Sequence, residues 1–318
     1  MRRCPAGQFL LLAVLTAFGG CTARETHDAK DTALAAHVER LVEVFLTSED
    51  DAKEASALSD ARVIFEREGI PTVARVGEAA AYGFVLVNML GQSPAFREQF
   101  LPSVRKADAR HELPEDAVAF AEARLRQTTT EERYKDQPPS NPALRDEILR
   151  LLKDDQTVRS KERFDLEKMK EVDGRTAHPL KAMFDRYGVP TYDMVGVQAA
   201  KGFVVMVQHQ PAEFRRAVMP KLKANVDAGQ ADPAYYAMVY DRTQRDQDKN
   251  QLYGQQLECA TGKTLDLAPI NDVASVNKRR AELGLMRVEL YARVVRLRSP
   301  DMCGAASSRQ QDSSEPRR

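Results

Sequence analysis

A mainly α protein, built from a tandem duplicated helical unit with a small β-hairpin near the C-terminus, is what the 318-residue sequence predicts. Three observations predict it. Apolar residues recur at helical spacing in one segment after another, as in Leu34, Val38, Leu41, Val42 and Phe45, which puts them on one face of a helix. Residues 65–86 align with 184–205 at twelve identities in 22 positions, with the Gly-x-Pro-Thr punctuation in register; a restart of this kind marks an internal repeat. After Gln251 the helical spacing gives way to Leu252, Leu257, Leu265 and Leu267 around Ala260-Thr261-Gly262-Lys263, the pattern of a hairpin.

The chain opens on Arg2 and Arg3, followed by a ten-residue, mostly apolar run from Phe9 to Phe18. Such a run is too short to cross a bilayer, and residues 1–20 read as a signal peptide. Gly19 and Gly20 stand directly before Cys21. This resembles the lipobox of bacterial lipoproteins, although Phe18 replaces the usual Leu. The resemblance implies that Cys21 is lipidated and that the acyl chains tie the protein to a membrane. Thr22, not Asp, follows the cysteine; in a Gram-negative host the resemblance then implies a periplasm-facing outer-membrane lipoprotein of the cell envelope. The other reading is an ordinary signal cut near Ala23 and a secreted periplasmic protein. Residues 21–31 read as a tether. Of the remaining cysteines, Cys259 and Cys303 form either a disulfide, as an oxidising compartment permits, or two free thiols, one of them reactive if a cation lies near.

Lys+Arg and Asp+Glu are each 47, so no net field draws in nucleic acid. The arginines from Arg287 onward are mixed with Asp301, Asp312 and Glu315, which reads as a solvated tail, disordered over 299–318. No cofactor is implied.

In chain order, a helix from Thr32 is followed by one over Asp51–Glu68, ended by Gly69 and Pro71. Thr72 is expected to cap a helix running through Gly77 and Gly83 to Val87; Pro94 and Pro102 punctuate the next segments, and Glu115–Arg126 is a short helix. Together these make an N-terminal repeat, 32–126. Residues 127–142 are polar with three prolines and read as a linker. A second unit over 143–298 then begins, with helices at Ala143–Lys153, from Asp154 to about Asp173, and from Pro179 to Tyr187. Asp272 is expected to cap a final helix through Arg279 and Arg280, with Leu285–Val294 as one more.

The second unit carries polar residues that the first lacks. His209 aligns with Leu90, Asp241 with Glu122 and Arg242 with Ala123. With a gap, Asp155-Gln156-x-x-Arg159 falls near Ser48–Lys53, and Gln251-Leu252-Tyr253-Gly254 has no counterpart. These pieces, with Gly188-x-Pro190-Thr191, Val195-Gly196, Gln208-His209, Tyr240-Asp241-Arg242 and Arg279-Arg280-x-x-x-Gly284-Leu285, resemble a bacterial family catalogued as domain of unknown function 6624. The family has no established activity, so the resemblance implies a domain and no reaction.

The candidate ligand-binding residues are therefore Gln156, Arg159, His209, Asp241, Arg242, Gln251, Tyr253 and Arg280. No residue is assigned as catalytic; His209 and Asp241 are the candidates. His209 ends an apolar helix, where an imidazole is either a hydrogen-bonded structural group or a general base. No His or Cys stands at ligand spacing from it, so no metal is expected. Arg242 is expected to point inward and to need a carboxylate or an anionic ligand. Asp155 and Arg159, four apart, suit a simple ion pair, and Arg279 and Arg280 suit a solvated helix face. Elbow, phosphate-loop and zinc signatures are missing from the sequence. The leading expectation is an anchored envelope lipoprotein whose second repeat binds a protein partner or small polar ligand. The alternative is a hydrolase or transferase with His209 as base, oriented by Asp241, and Arg242 holding an anionic substrate.

Overall fold

The computed structural model describes residues 31–159, 165–259, 264–299 and Cys303. The signal peptide, Cys21, nearly all of the tether, the 260–263 turn and most of the C-terminal tail lie outside the described residues. Within them the protein has fourteen α-helices and one two-stranded sheet. The first unit runs α1 (Thr32–Thr47), α2 (Asp51–Glu68), α3 (Val73–Val76), α4 (Glu78–Gly91), α5 (Pro94–Asp108) and α6 (Ala117–Lys135). The second runs α7 (Pro142–Thr157), α8 (Leu166–Tyr187), α9 (Tyr192–Val195), α10 (Val197–Gln208), α11 (Ala212–Asp227) and α12 (Pro233–Arg245). An appendage follows: β1 (Leu257–Cys259), antiparallel to β2 (Leu265–Leu267), then α13 (Val276–Glu282) and α14 (Val288–Arg298).

The two units share more than an element order. Asp31 caps α1 by accepting from the Leu34 amide at 3.0 Å, and Asn141 caps α7 by accepting from Leu144 at 3.1 Å. Each capping residue gives its own amide to the third helix of its unit: Asp31 to the Arg75 carbonyl of α3 at 2.9 Å, Asn141 to the Met194 carbonyl of α9 at 2.8 Å. Gly69 and Gly188 end α2 and α8 with φ of 76° and 73°, a left-handed conformation that side chains resist. In each unit a glycine lets two helices touch. A Cβ on Gly83 would sit 2.6 Å from Val42 of α1, and one on Gly202 would sit 2.6 Å from Leu152 of α7.

Each unit has its own apolar core. α4 is buried along almost its whole length, between Ala80 and Met89, and packs with Phe100 and Phe120, both fully buried. α10 plays the same part in the second unit, with Phe203, Met206 and Val207 fully buried against Ile148, Leu180 and Leu222.

Several sequence expectations are corrected. Residues 127–142 are not a linker throughout: α6 continues to Lys135. Nothing in 127–135 breaks a helix before Pro138, and Gln127 bridges Arg124 and Glu131 along the turn at 2.8 and 2.9 Å. The helix expected from Thr72 is interrupted, because Gly77 has φ 82° and separates α3 from α4. Pro102 and Pro179 lie inside α5 and α8 rather than at their ends. The expected division of 143–187 into three helices gives way to α7 and α8. Asp272 makes no side-chain cap; a short 3-10 turn over Val273–Ser275 leads into α13.

The units are joined along α6 and the appendage. Lys201 of α10 pairs with Glu131 at 2.8 Å and Asp232 at 3.0 Å, and Gln230 donates to the Tyr134 hydroxyl at 2.6 Å. Cys259 and Cys303 form a disulfide with their Cα atoms 5.5 Å apart, closing a span of 44 residues that contains β2, α13 and α14. Replacing both cysteines by serine should lower the unfolding free energy by about 2–4 kcal/mol, read from urea denaturation with and without reductant on the natural chain.

Candidate functional site

The polar residues of the second unit gather in two places, not one. At the first, α10 ends at Gln208 and His209 is its C-cap. The imidazole Nδ1 lies 2.9 Å from Asp155 Oδ1. Asp155 sits on α7 with no exposed surface, and His209 is 12% exposed. The same carboxylate accepts from Arg159 Nη1 at 2.8 Å and from Gln156 Nε2 at 2.7 Å. Arg159 also pairs with Asp173 of α8. The adjoining Gln210 is buried and donates to Thr176 Oγ1 at 3.2 Å.

Sequence reasoning missed Asp173 and Arg215. Arg215 of α11 is buried, donates to the carbonyls of Gln208 and Gln210, and pairs with Asp246. It holds the turn that carries His209. Burial, with the Arg242 and Arg216 charges adding to it, lowers its pKa to about 10. An arginine three to four residues into the helix after His209 was the available signal.

Arg242 corrects an expectation. It is exposed, not inward, and has no hydrogen-bond or ion-pair partner among the described residues. It stands at the rim of the first cluster: desolvation by the surrounding protein lowers its pKa, the Arg159 charge lowers it further, and Asp173 opposes both. Asp241 points the other way, about 100° around α12.

That second place is a structural knot. The buried Asp241 carboxylate accepts the amides of Leu252 at 2.7 Å, Tyr253 at 3.1 Å and Gln255 at 2.9 Å. Gln251, fully buried, donates to the carbonyls of Gln256 and Ala268 at 3.0 and 2.7 Å and accepts from the Gln256 amide at 2.8 Å. Arg280 is 1% exposed and donates to the Met286 and Tyr253 carbonyls at 2.5 and 2.6 Å, below the Tyr291 ring. Burial brings its pKa down to about 10. Arg279 donates to the carbonyls of Leu252, Asn271 and Asp272. Neither arginine is a solvated helix face. The Tyr253 ring packs edge-on against Tyr236 and Tyr240.

Asp241 therefore does not orient His209; Asp155 does. Tyr253, Gln251 and Arg280 are spent on the appendage, where Asp241 and Gln251 accept loop amides and Gln251 and Arg280 donate to loop carbonyls that would otherwise be buried unpaired. Gln156, Arg159, His209 and Arg242 remain as one group. Asp155, Asp173 and His209 place three ligand atoms within 4.8 Å of one another, from three different helices. Arg159 bonds both carboxylates and sets one positive charge against their two.

At the sequence positions that align with this group the first unit carries hydrocarbon. The matched glycine contacts set Asp155 opposite Phe45, not opposite Ser48–Lys53 as the gapped alignment had it. A Cβ on Gly91, the counterpart of Gln210, would strike Phe45 at 2.6 Å and Leu58 at 2.2 Å. Leu90 stands where His209 does, and buried Ala57 where Thr176 does.

These features define a class: a helical domain carrying a buried carboxylate held by imidazole, amide and guanidinium. Residues 142–299 match the model of a family described as a family of unknown function (DUF6624), so the second unit with its appendage is a domain of that kind. No curated protein and no solved structure matches the chain.

Burial raises the Asp241 pKa, with the three backbone amides opposing it. An acid held above its unfolded value keeps its proton in the native state after the unfolded chain has lost it, so stability falls as pH rises across that interval. Stability measured from pH 4 upward should show this fall, and Asp241→Asn should remove it while weakening the appendage by about 1–3 kcal/mol.

Proposed function

We propose that the protein is an envelope lipoprotein, anchored through Cys21, whose second unit binds a small anionic ligand or an acidic group of a partner at the His209–Arg242 rim. One observation carries this reading. Arg242 is an exposed guanidinium without a partner beside a cluster in which Arg159 and Arg215 are both already paired. A free, planar guanidinium of this kind suits bidentate capture of carboxylate or phosphate. His209 has Nδ1 committed to Asp155 and no described hydrogen bond at Nε2, which leaves that nitrogen for the ligand. The anchor rests on the sequence before Cys21.

The two units are further proposed to descend from one ancestral unit by duplication. The common caps, carbonyl contacts and glycine–aliphatic contacts support it. In this history the first unit exchanged the polar set for Phe45, Leu58 and Leu90 and keeps a packing role.

A second reading has one specific observation in its favour. Asp155 and His209 form a carboxylate–imidazole pair, the arrangement that fixes a tautomer and leaves Nε2 as a base. On this reading Arg242 holds an anionic substrate for a hydrolase or transferase.

The test is an NMR titration of the His209 ring with inorganic phosphate and with acetate. The ring resonances should shift in the natural chain, and Arg242→Glu should weaken the response at least about tenfold with the circular dichroism unchanged. An equal response in the variant would remove the rim site. If the pair is catalytic, His209→Ala should lower turnover of an ester or phosphoester by about 10²–10⁴-fold, with a smaller change in affinity.

A further inference from the structure

A cavity of about 710 Å³ lies between the two units, and none of its lining residues belongs to the His209 cluster. Its size falls within the range that encloses a drug-sized molecule. Leu101 and Leu125 line it from the first unit, and Val226 and Leu283 from the second unit and appendage. Its charged groups are unevenly committed. Arg105 is paired with Glu122 at 2.8 Å, and Asp227 with Lys223 at 2.6 Å. Arg126 and Arg133 are exposed and have no ion pair or hydrogen bond among the described residues; of the lining acids, Glu282 is likewise left over. The two arginines are seven residues apart on α6, two turns of one helix face.

Tyr192 also lines the cavity and is 2% exposed. Its hydroxyl makes no hydrogen bond of acceptable geometry, although the Glu131 carboxylate lies close by. Burial, helped by the Asp232 and Glu131 charges, pushes its pKa up, so the phenol keeps its proton. A buried donor left without a good acceptor is destabilising, and natural sites of this kind are commonly completed by a ligand or water.

We propose that this cavity binds an amphipathic organic anion, with its apolar body against the leucine walls and its acidic group held by Arg126 and Arg133. The unpaired guanidiniums select the charge, because a neutral ligand of the same shape leaves them without a partner and an anion supplies one. Glu282 sets the limit: a second negative charge on its side of the mouth meets repulsion. The site is independent of the rim at Arg242.

The test titrates the full chain with two fluorescent probes of similar shape, 8-anilinonaphthalene-1-sulfonate and the neutral N-phenyl-1-naphthylamine. The sulfonate should bind at one site. The double variant Arg126→Glu, Arg133→Glu should weaken it about tenfold or more, one charge-assisted contact being worth about that factor, and should leave the neutral probe within about twofold. Thr129→Trp, an exposed lining position on α6, should abolish binding of both by filling the space. Thermal melts of each variant are compared with the natural chain so that unfolding is separated from lost binding. The proposal is overturned if the natural chain does not bind the sulfonate, if charge reversal affects both probes alike, or if Thr129→Trp leaves sulfonate binding intact.

Discussion

The approach of α10 to α7 is the constraint on which the second unit depends. Gly202 has no Cβ, and Leu152 occupies the space one would need, 2.6 Å from where that atom would be. With the two helices in contact, the turn at the end of α10 comes level with the last turn of α7, and a histidine meets an aspartate 54 residues earlier in the chain. Glycine in a helix interior costs about 1 kcal/mol against alanine; here close packing over Phe203, Met206 and Val207 offsets it. The first unit has the same contact through Gly83 and Val42. There the neighbouring positions carry hydrocarbon, so the scaffold does not require the polar set. Whatever keeps Asp155 and His209 where they are, it is not the need to hold two helices together.

Much of the fold was legible because its signals are local. Apolar spacing and the glycines at 69 and 188 each act within a few residues, and they mark where helices run and end. The error at 127–142 has an equally local cause. A polar composition suggested a linker, yet no residue before Pro138 stops α6, and side-chain pairs along one turn are enough to continue it. The mid-helix prolines misled in the opposite direction: burial of Phe100 and Leu180 outweighs the lost amide.

The candidate site was less legible. Comparing the two halves of the chain singled out Gln156, Arg159, His209, Asp241 and Arg242, but it could not divide them between the two clusters. Asp241 and Arg242 are adjacent in sequence and serve separate purposes, because neighbouring positions on a helix face apart. Asp173 was missed since it lies inside a charged helix, where one carboxylate reads like another. Arg279 and Arg280 read as solvent-facing for the same reason, and only the loop carbonyls beside them decide otherwise.

The turn before α14 has a consequence for how the molecule can be divided. Arg287 bonds Asp116, pairs with Glu78 at 2.9 Å and stacks on Tyr82, all in the first unit, while Arg298 reaches the Leu46 carbonyl at 3.0 Å. Burial alone would depress the Arg287 pKa, but the two carboxylates more than compensate and raise it. The residue that starts the last helix of the family segment thus finds its charge partners outside that segment. A fragment cut at the family boundary would leave Arg287 without the Asp116 and Glu78 carboxylates. The earlier half thus supplies the charges against which Arg287 is held.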